Sequence, residues 1–377
     1  MGQDKERQVL ILTGEESGDL HGAHLARAFQ RLPVPPRLFG YGGKHLQEAG
    51  VELVENTLQT SVVGISEIFM ALPNLIARAR RIVNFIKNQS MDLLILIDFP
   101  GFHLWILPQV SRFVPTVYYI PPKVWVWKEN RAQKIMRFCQ RVYTIFPFEQ
   151  RYFPEKSKYF GHPLLDIVAS PKSRDEFLES RGLSSSRRYI GLVPGSRLQE
   201  IRKMLPIFLD VAKRLSEEAD YGFLLPQASS LELQEYKKLD PQIESRVTLC
   251  EGDTYSLISA CDLILATSGT VTLEAAILGT PMLICNKGSS LTYAAFRMLS
   301  KVRHLGLPNI LKNQEICPEY LQDDANVDRL VHGVREFLAH DELLAKQRKQ
   351  LGEVREILGE PGVLDRITRD MQESYLQ

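Results

Sequence analysis

One short turn in the second half of the chain carries the residue types that bind phosphate. Ser268, Gly269 and Thr270 follow an apolar run and precede a helical pattern that contains Glu274. A helix that begins on such residues directs unpaired backbone N–H groups and the positive end of its dipole towards the strand end. This arrangement is typical of an anion site, most often for phosphate. A plain capped helix with a solvent-facing Glu274 fits the same residues equally well.

A second loop adds a cation to the same chemistry. Ser196 and Arg197 follow the apolar run 189–193 and precede another helical pattern. A guanidinium offers forked donors that match phosphate oxygens, so Arg197 at a helix N-terminus suits a diphosphate. Glu274, one turn into its own helix, is placed to accept hydrogen bonds from a ribose diol beside the phosphates.

The residues that could move a proton are in the first half of the chain. Asp98 ends the continuous apolar run 93–97, which is typical of a central parallel strand. Ligands of open α/β sheets bind at the carboxyl ends of strands, so Asp98 is a candidate general base, with helix capping as its alternative role. The first strand is followed by a comparable polar group, in which Ser17 or Asp19 is expected to cap the helix. This group consists of Glu15, Ser17, Asp19 and His21.

An apolar stretch with basic neighbours precedes the Asp98 strand. Gly64 and Pro73 interrupt its pattern, and helical spacing is expected only from Leu75 onward. Interior packing is the ordinary explanation of such residues. The alternative is a surface patch that contacts a membrane or a lipid substrate. The residues concerned are Val62, Val63, Ile65, Ile68, Phe69 and Leu72.

Two tryptophans form a candidate ligand groove further along. Trp125 and Trp127 alternate with apolar residues beside Lys123 and Lys128. Such aromatic side chains can line a groove for a sugar or an acyl chain, although tryptophan is also a common core residue. His162, between a glycine and a proline, is fixed in extended geometry and either faces a ligand or forms a hinge.

The elements that must position these residues alternate between strand-like runs and helical patterns in both halves of the chain. With 377 residues, the chain exceeds one average core. We predict an α/β protein with two Rossmann-like doubly wound domains that face a cleft, and a helical C-terminus. The domains are expected at 1–168 and 187–345, separated by a charged, serine-rich linker. Helices in 346–377 are expected to pack back on the first domain or on a partner chain.

Composition excludes several other classes of protein. A net charge of +1 argues against a dedicated nucleic-acid binder. Five dispersed cysteines without a CxxC pair indicate reduced core thiols, neither a disulfide framework nor a zinc site. No apolar run reaches the ~18 residues of a membrane span. With no secretory signal pattern, we expect a cytoplasmic protein whose membrane contact is peripheral.

Taken in order, these motifs resemble the lipid-A-disaccharide synthase family. The resemblance extends from about Leu10 to about Asp324. It implies an inverting glycosyltransferase of the GT-B type that requires neither a metal nor another cofactor. The motifs that carry it are Gly14-Glu-Glu-Ser-Gly-Asp19, Asp98, Trp125-Val-Trp127, Gly161-His-Pro163, Pro194-Gly-Ser-Arg197, Ser268-Gly-Thr270 with Glu274, and Leu307-Pro-Asn309.

The resemblance also implies substrates and roles. UDP-2,3-diacylglucosamine is expected to react with the 6-hydroxyl of 2,3-diacylglucosamine 1-phosphate, giving the β-1′,6-linked disaccharide phosphate and UDP. Asp98 would be the general base, and Glu15 is the alternative candidate for that role. The donor would be bound by Ser196, Arg197, Ser268, Gly269, Thr270, Glu274 and Asn309. The acceptor and the inner membrane would be contacted by Ser17, Trp125, Trp127 and the 62–72 residues named above. No nucleic-acid partner is expected, and a homodimer is left open.

Two other functions fit parts of the pattern. A UDP-GlcNAc 2-epimerase-like isomerase would share the fold and the UDP site, but would need further carboxylates or histidines for proton transfer and no apolar acceptor surface. A non-catalytic protein that binds a UDP-sugar or a lipid would have no need for Asp98 and Arg197 together.

Overall fold

The computed structural model describes residues 6–57, 65–126, 129–168, 171–228, 231–288 and 302–377, without the side chains of 65–72. The chain forms two compact units. The first comprises Met1–Ile167 and Gly359–Gln377, and the second comprises Val168–Leu358. Among the helices in the described ranges, none combines the length and the apolar composition needed to cross a bilayer.

The first unit is built on a parallel seven-stranded sheet. Its strands are β1 Gln8–Leu12, β2 Arg37–Gly42, β3 Glu52–Asn56, β4 Leu93–Ile97, β5 Thr116–Tyr119, β6 Arg141–Tyr143 and β7 Ser157–Lys158. Their order is β3-β2-β1-β4-β5-β6-β7. All five residues of β4 are buried, because helices cover both faces of a parallel sheet. Since β1 pairs with β4, the loops after these two strands lie at the switch point, where ligands of this fold class bind.

The helices of the first unit include the C-terminal helix of the chain. They are α1 Glu16–Gln30, α2 Lys44–Glu48, α3 Ile65–Gln89, α4 Pro100–Val110, α5 Asn130–Phe138, α6 Leu164–Ile167 and, from the C-terminus, α16 Val363–Tyr375. Helix α16 packs against α1. Its Asp370 carboxylate accepts hydrogen bonds from Arg141, Tyr143 and Lys158 at the end of the sheet. The last helix therefore belongs to the first unit.

Helix α3 is longer than the sequence analysis predicts. It begins at Ile65 and continues through Pro73 to Gln89, although Pro73 cannot donate a backbone hydrogen bond. The expected start at Leu75 is therefore wrong. The spacing of Ile65, Ile68, Phe69 and Leu72 is i, i+3, i+4, i+7, which is itself a helical signal. The proline outweighed that signal in the sequence analysis.

The second unit repeats the same architecture. Its strands are β8 Arg188–Val193, β9 Tyr221–Gln227, β10 Thr248–Glu251, β11 Leu263–Thr267, β12 Met282–Asn286 and β13 Glu319–Leu321. They form a parallel sheet of order β10-β9-β8-β11-β12-β13. Its helices are α7 Arg174–Ser180, α8 Leu198–Ser216, α9 Leu233–Leu239, α10 Ile243–Arg246, α11 Thr254–Ala260, α12 Thr270–Leu278, α13 Leu307–Lys312, α14 Val327–Ala339 and α15 Asp341–Ile357. Both sheets thus confirm the predicted doubly wound α/β class.

The limits of the two units differ from the predicted domain boundaries. The expected linker contains α7, which starts with a capping box between Ser173 and Glu176 and packs on α11. At the other end, α15 packs on α12 and α13 instead of joining the C-terminal helix. The buried Gln347 side chain holds it there, because it bonds both the N–H and the C=O of Met282. The second unit is therefore longer at both ends than 187–345.

Candidate active site

The two predicted phosphate-binding loops lie side by side in the second unit. Strands β8 and β11 are neighbours, and Val193 pairs with Ala266 at their carboxyl ends. The loop 194–197 follows the first strand, and the turn 267–270 follows the second. These loops occupy the switch point of a doubly wound sheet, where ligands of this fold class bind.

A glycine and a glutamate shape the first loop. Gly195 has φ +108°, a conformation that favours glycine, and a Cβ there would lie 2.4 Å from a carboxylate oxygen of Glu200. That carboxylate accepts hydrogen bonds from the N–H groups of Ser196 and Arg197 at 3.3 and 3.4 Å. The Arg197 guanidinium is 73% exposed and only 3.5 Å from Glu200. The loop is thus held by its backbone while its cation faces solvent.

The second loop has backbone N–H donors at the same end of the sheet, where β8 and β11 end. Helix α12 begins at Thr270 after Gly269, and no side chain caps it. In the described part of the chain, the N–H groups of Gly269, Thr270 and Val271 have no acceptor. Ser268 is fixed by its N–H, which donates to Cys285, and by its hydroxyl oxygen, which accepts from the Asn286 amide. Free N–H groups and the helix dipole, with Arg197 on the loop after the neighbouring strand, are the features of a candidate anion site.

Two further polar groups flank this anion site without a partner among the described residues. The Thr267 hydroxyl is buried and makes no hydrogen bond. The Glu274 carboxyl, one turn into α12, also makes none. Burial raises the pKa of Glu274 from 4.5 to about 7. A ligand with hydroxyl donors would satisfy this carboxyl.

Asn309 has a different role from the predicted one. It is fully buried, and its side-chain oxygen accepts hydrogen bonds from the N–H groups of Ile316 and Cys317 at 2.8 and 2.9 Å. Its amide nitrogen donates to the Cys317 carbonyl and to Glu319. The prediction of a direct ligand contact is therefore wrong, because its bonding capacity is used within the protein. Asn309 instead fixes the segment that leads into β13.

In the first unit, Asp98 ends β4 in a strained backbone conformation. Asp98 and Phe99 have φ values of +48° and +45°, in the left-handed region that non-glycine residues rarely adopt. The Asp98 carbonyl is held by the Tyr118 hydroxyl at 2.7 Å and by Nδ1 of His103 at 2.8 Å. Burial lowers the pKa of His103 to about 4, so the ring is neutral and donates from Nδ1. Two buried side chains thus stabilise this strained turn, a feature often found at functional sites.

The turn after β4 contacts the turn after β1. A Cβ at Gly14 would lie 2.1 Å from the Phe99 ring, so only glycine allows this close approach. Helix α1 begins directly afterwards, and Glu15 and Ser17 are exposed around its first turn. The structure therefore places Glu15 and Ser17 at the same strand ends as Asp98.

Asp19 of the predicted crevice, and His162, which was predicted to face a ligand or to form a hinge, both have structural hydrogen bonds. The buried Asp19 carboxylate accepts hydrogen bonds from the N–H groups of Gly43 and His45, and so caps α2 instead of its own helix. His162 is also buried, and its Nδ1 accepts from the N–H of Leu164 at the start of α6. Burial lowers the pKa of His162 to about 3, which keeps the ring neutral. Both residues organise the chain around the site.

A cavity of about 200 Å³ lies beside Asp98 and is also lined by Lys123, Arg131 and Glu149. Trp125 does not line a groove as predicted: it is 3% exposed, and its indole N–H donates to Glu149 at 2.9 Å. Its packing against two phenylalanines places it in the core. Burial raises the pKa of Glu149 to about 7.

The side chains of the other residues predicted to contact the acceptor or the membrane are not among those that the structure describes. Val62, Val63 and Trp127 lie outside the described residues, as do the side chains of Ile65, Ile68, Phe69 and Leu72. Among the residues that the structure does describe, no three His, Cys, Asp or Glu side chains are grouped closely enough to hold a metal ion. All five cysteines are buried and free, which confirms the prediction of core thiols.

Several residues of these sites were missed by the sequence analysis. Arg131 lies in the first turn of a short helix, and Thr267 and Asn286 lie at strand ends, positions without a distinctive motif. The role of Glu200 had a readable signal, because a glutamate three residues after the N-cap can accept a hydrogen bond from the N-cap backbone N–H.

Comparison with solved structures identifies the class of fold. MurG of Acinetobacter baumannii superposes with a TM-score of 0.58 at 12% identity, covering 97% of this chain and 99% of that one. The UDP-GlcNAc 2-epimerase of Neisseria meningitidis superposes with a TM-score of 0.64 at 11% identity, covering 98% and 99%. Together with the two doubly wound sheets, these likenesses define the GT-B class of fold.

Sequence comparison identifies the family within that class. The family model described as lipid-A-disaccharide synthetase matches residues 9–363. The lipid-A-disaccharide synthase of Geobacter sulfurreducens is 39% identical over 374 residues, covering 97% of each chain. The corresponding protein of Syntrophus aciditrophicus is 36% identical over 367 residues, covering 95% of each. The chain belongs to the lipid-A-disaccharide synthetase family and is a glycosyltransferase.

Proposed function

We propose that the protein transfers 2,3-diacylglucosamine from its UDP derivative to the 6-hydroxyl of 2,3-diacylglucosamine 1-phosphate. The products are the β-1′,6-linked disaccharide phosphate and UDP. The proposed donor site rests on one observation: the Arg197 loop and the Ser268 turn follow adjacent strands of one sheet. The proposal is supported by this pairing, because a cation and free N–H groups at adjacent strand ends suit a diphosphate in such folds.

We propose that the second unit binds the sugar nucleotide. Ser196, Ser268, Gly269 and Thr270 offer donors to the diphosphate, and Arg197 neutralises it. These groups stabilise the charge that develops on UDP as it leaves, a role that requires no metal. Glu274 accepts hydrogen bonds from the ribose hydroxyls. Asn309 supports this site through the backbone that it fixes.

We propose Asp98 as the general base, acting in the first unit. Its carboxylate removes the proton from the acceptor 6-hydroxyl while that oxygen forms a bond to the anomeric carbon of the donor. The bond from this carbon to the UDP oxygen breaks on the opposite face, and UDP leaves with the electron pair. The rigid backbone at Asp98 supports this role, since a base must be held within hydrogen-bond reach of its proton. Glu15 is the reserve candidate for the base.

We also propose peripheral contact with the cytoplasmic face of the inner membrane. Both substrates carry acyl chains, and the apolar residues between Val62 and Leu72 are followed by Arg78, Arg80 and Arg81. Apolar side chains with basic neighbours suit the interface of an anionic bilayer.

Mass spectrometry of the products tests the proposed reaction. The purified protein is incubated with the two acylated substrates, with and without EDTA. We expect the disaccharide phosphate and UDP in equal amounts under both conditions. A parallel incubation with UDP-GlcNAc alone should give no epimer. Failure to form the disaccharide would refute the proposed function, and loss of product with EDTA would refute its independence of metal.

A further inference from the structure

The cavity beside Asp98 contains two cations that the proposed catalytic step does not use. Lys123 follows β5, and Arg131 is in the first turn of α5. In the described part of the chain, neither side chain forms an ion pair or a hydrogen bond. Unpaired cations that line a concave site favour an anionic ligand.

The second carboxyl of the cavity, Glu149, feels the charge of Lys123 but forms no ion pair with either cation in the described part of the chain. One oxygen of Glu149 accepts from the Trp125 indole N–H, and the other accepts from the N–H groups of Ile145 and Phe146 at 3.1 Å. Both oxygens are thus turned into the protein. Among the described lining residues, the other charged side chains are Asp98, Lys123 and Arg131. A ligand with a hydroxyl near a base and an anion near two cations would match these charges.

We propose that Lys123 and Arg131 bind the 1-phosphate of the acceptor while Asp98 faces its 6-hydroxyl. This inference rests on the proposed function. In a pyranose, C1 and C5 flank the ring oxygen, so the phosphate on C1 and the hydroxymethyl group on C5 project from one edge of the ring. A cavity of about 200 Å³ is the size of one sugar ring, and it can bring both groups to the three charged side chains.

The remaining wall of the cavity suits the body of the sugar and the first carbons of its acyl groups. It is apolar and consists of Pro100, Ile120, Pro121, Pro122, Val124 and Ile145. The two cations have complementary roles, because the guanidinium of Arg131 offers forked donors and Lys123 offers a compact charge. The phosphate contact would orient the acceptor so that only its 6-hydroxyl reaches the base.

Two acceptors that differ only at C1 test this inference. One carries the 1-phosphate and the other carries an uncharged methyl glycoside. We compare kcat/KM for both in the wild type, Lys123→Ala, Arg131→Ala and Arg131→Lys. The control is Lys134→Ala, which removes a cation from the same helix but outside the cavity. Binding of UDP to each variant is measured by calorimetry to show that the donor site is intact.

We expect Lys123→Ala and Arg131→Ala each to lower kcat/KM for the phosphorylated acceptor by about 10- to 100-fold, the value of one charge-assisted contact. The loss with the methyl glycoside should be much smaller, and Arg131→Lys should recover part of the activity. The ³¹P resonance of the phosphorylated acceptor should broaden with the wild type and sharpen with Arg131→Ala.

Three outcomes would overturn the inference. Equal losses with both acceptors would mean that the cations support the fold or the base. A higher KM for the donor, with the acceptor KM unchanged, would assign the cavity to the donor phosphates. Losses no greater than in the control would give the cations no role. In each of these cases the wild type still makes the disaccharide, whereas absence of any disaccharide would refute the proposed function as well.

Discussion

Glu274→Gln should make the protein more stable and weaken its binding of UDP. Burial raises the Glu274 pKa from 4.5 to about 7. Below the unfolded-state pKa the carboxyl is protonated in both states and costs nothing. As the pH rises from about 4.5 to 7, ionisation destabilises the folded state, and the penalty is complete above pH 7. A shift of this size corresponds to a few kcal/mol at most, and partial exposure of the side chain reduces this to about 1–3 kcal/mol.

Glutamine keeps the shape of the side chain without the charge. The free energy of unfolding of the second unit should therefore rise by about 1–3 kcal/mol at pH 8, and by much less at pH 5. Binding should change in the opposite direction, because a neutral acceptor replaces a charged one for the ribose hydroxyls. We expect UDP to bind about 5- to 150-fold more weakly at pH 8, from a loss of about 1–3 kcal/mol.

Denaturant unfolding at pH 5 and pH 8 measures the first effect, and calorimetric titration with UDP measures the second. Glu336→Gln is the matched control, because it removes an exposed carboxylate from the same unit. The control should change neither quantity. If Glu274→Gln destabilised the protein at pH 8, the carboxylate would have a partner in the free protein. If UDP affinity were unchanged, Glu274 would not contact the nucleotide.

The other predictions concern one residue each. Asp98→Asn should lower kcat by about 10²- to 10⁴-fold while UDP binding is kept, and near-normal turnover would show that another group is the base. Arg197→Ala should weaken UDP binding by about 10- to 100-fold without lowering the melting temperature, because the guanidinium is exposed; a wild-type dissociation constant would exclude its contact with the diphosphate. Asn309→Ala should destabilise the protein by about 2–4 kcal/mol in denaturant unfolding, since it leaves the buried N–H groups of Ile316 and Cys317 without their acceptor and removes one of the donors to Glu319. Its KM for the UDP-sugar should stay close to wild type, and a large rise in KM with normal stability would restore a direct contact.

Local patterns in the sequence were sufficient to predict most strands and helices and the loops that carry the candidate site residues. Continuous apolar runs predicted the central strands, because both faces of such a strand are buried and polar side chains there would lose their contact with water. The residues Ser268–Thr270 predicted a helix start but left a capped helix and an anion site equally open, and the structure shows that no side chain caps it. The errors arose where a local rule competed with packing. Pro73 was read as a helix break, and the charged segment before Arg188 was read as a linker although it contains α7.

The side-chain environment was the part that sequence could not supply. Trp125 and Asn309 belong to residue types found both in ligand sites and in cores, and their types alone do not separate the two. Only the folded chain shows that Glu149 accepts a hydrogen bond from the indole N–H of Trp125. It also shows that the Asn309 side chain forms its hydrogen bonds with Ile316, Cys317 and Glu319. Arg131 became a candidate only when the fold placed it at the cavity.

The sequence by itself determined the α/β class and the residue types that handle phosphate and protons, because these depend on short-range periodicity and on the chemistry of each side chain. The tertiary structure decided which of those residues meet. The Arg197 loop and the Ser268 turn are about 70 residues apart in the chain. They become neighbours because β8 pairs with β11, a long-range pairing that neither segment specifies alone. In the same way, β1 and β4 bring Gly14 against Phe99 and set Glu15 beside Asp98 at one switch point.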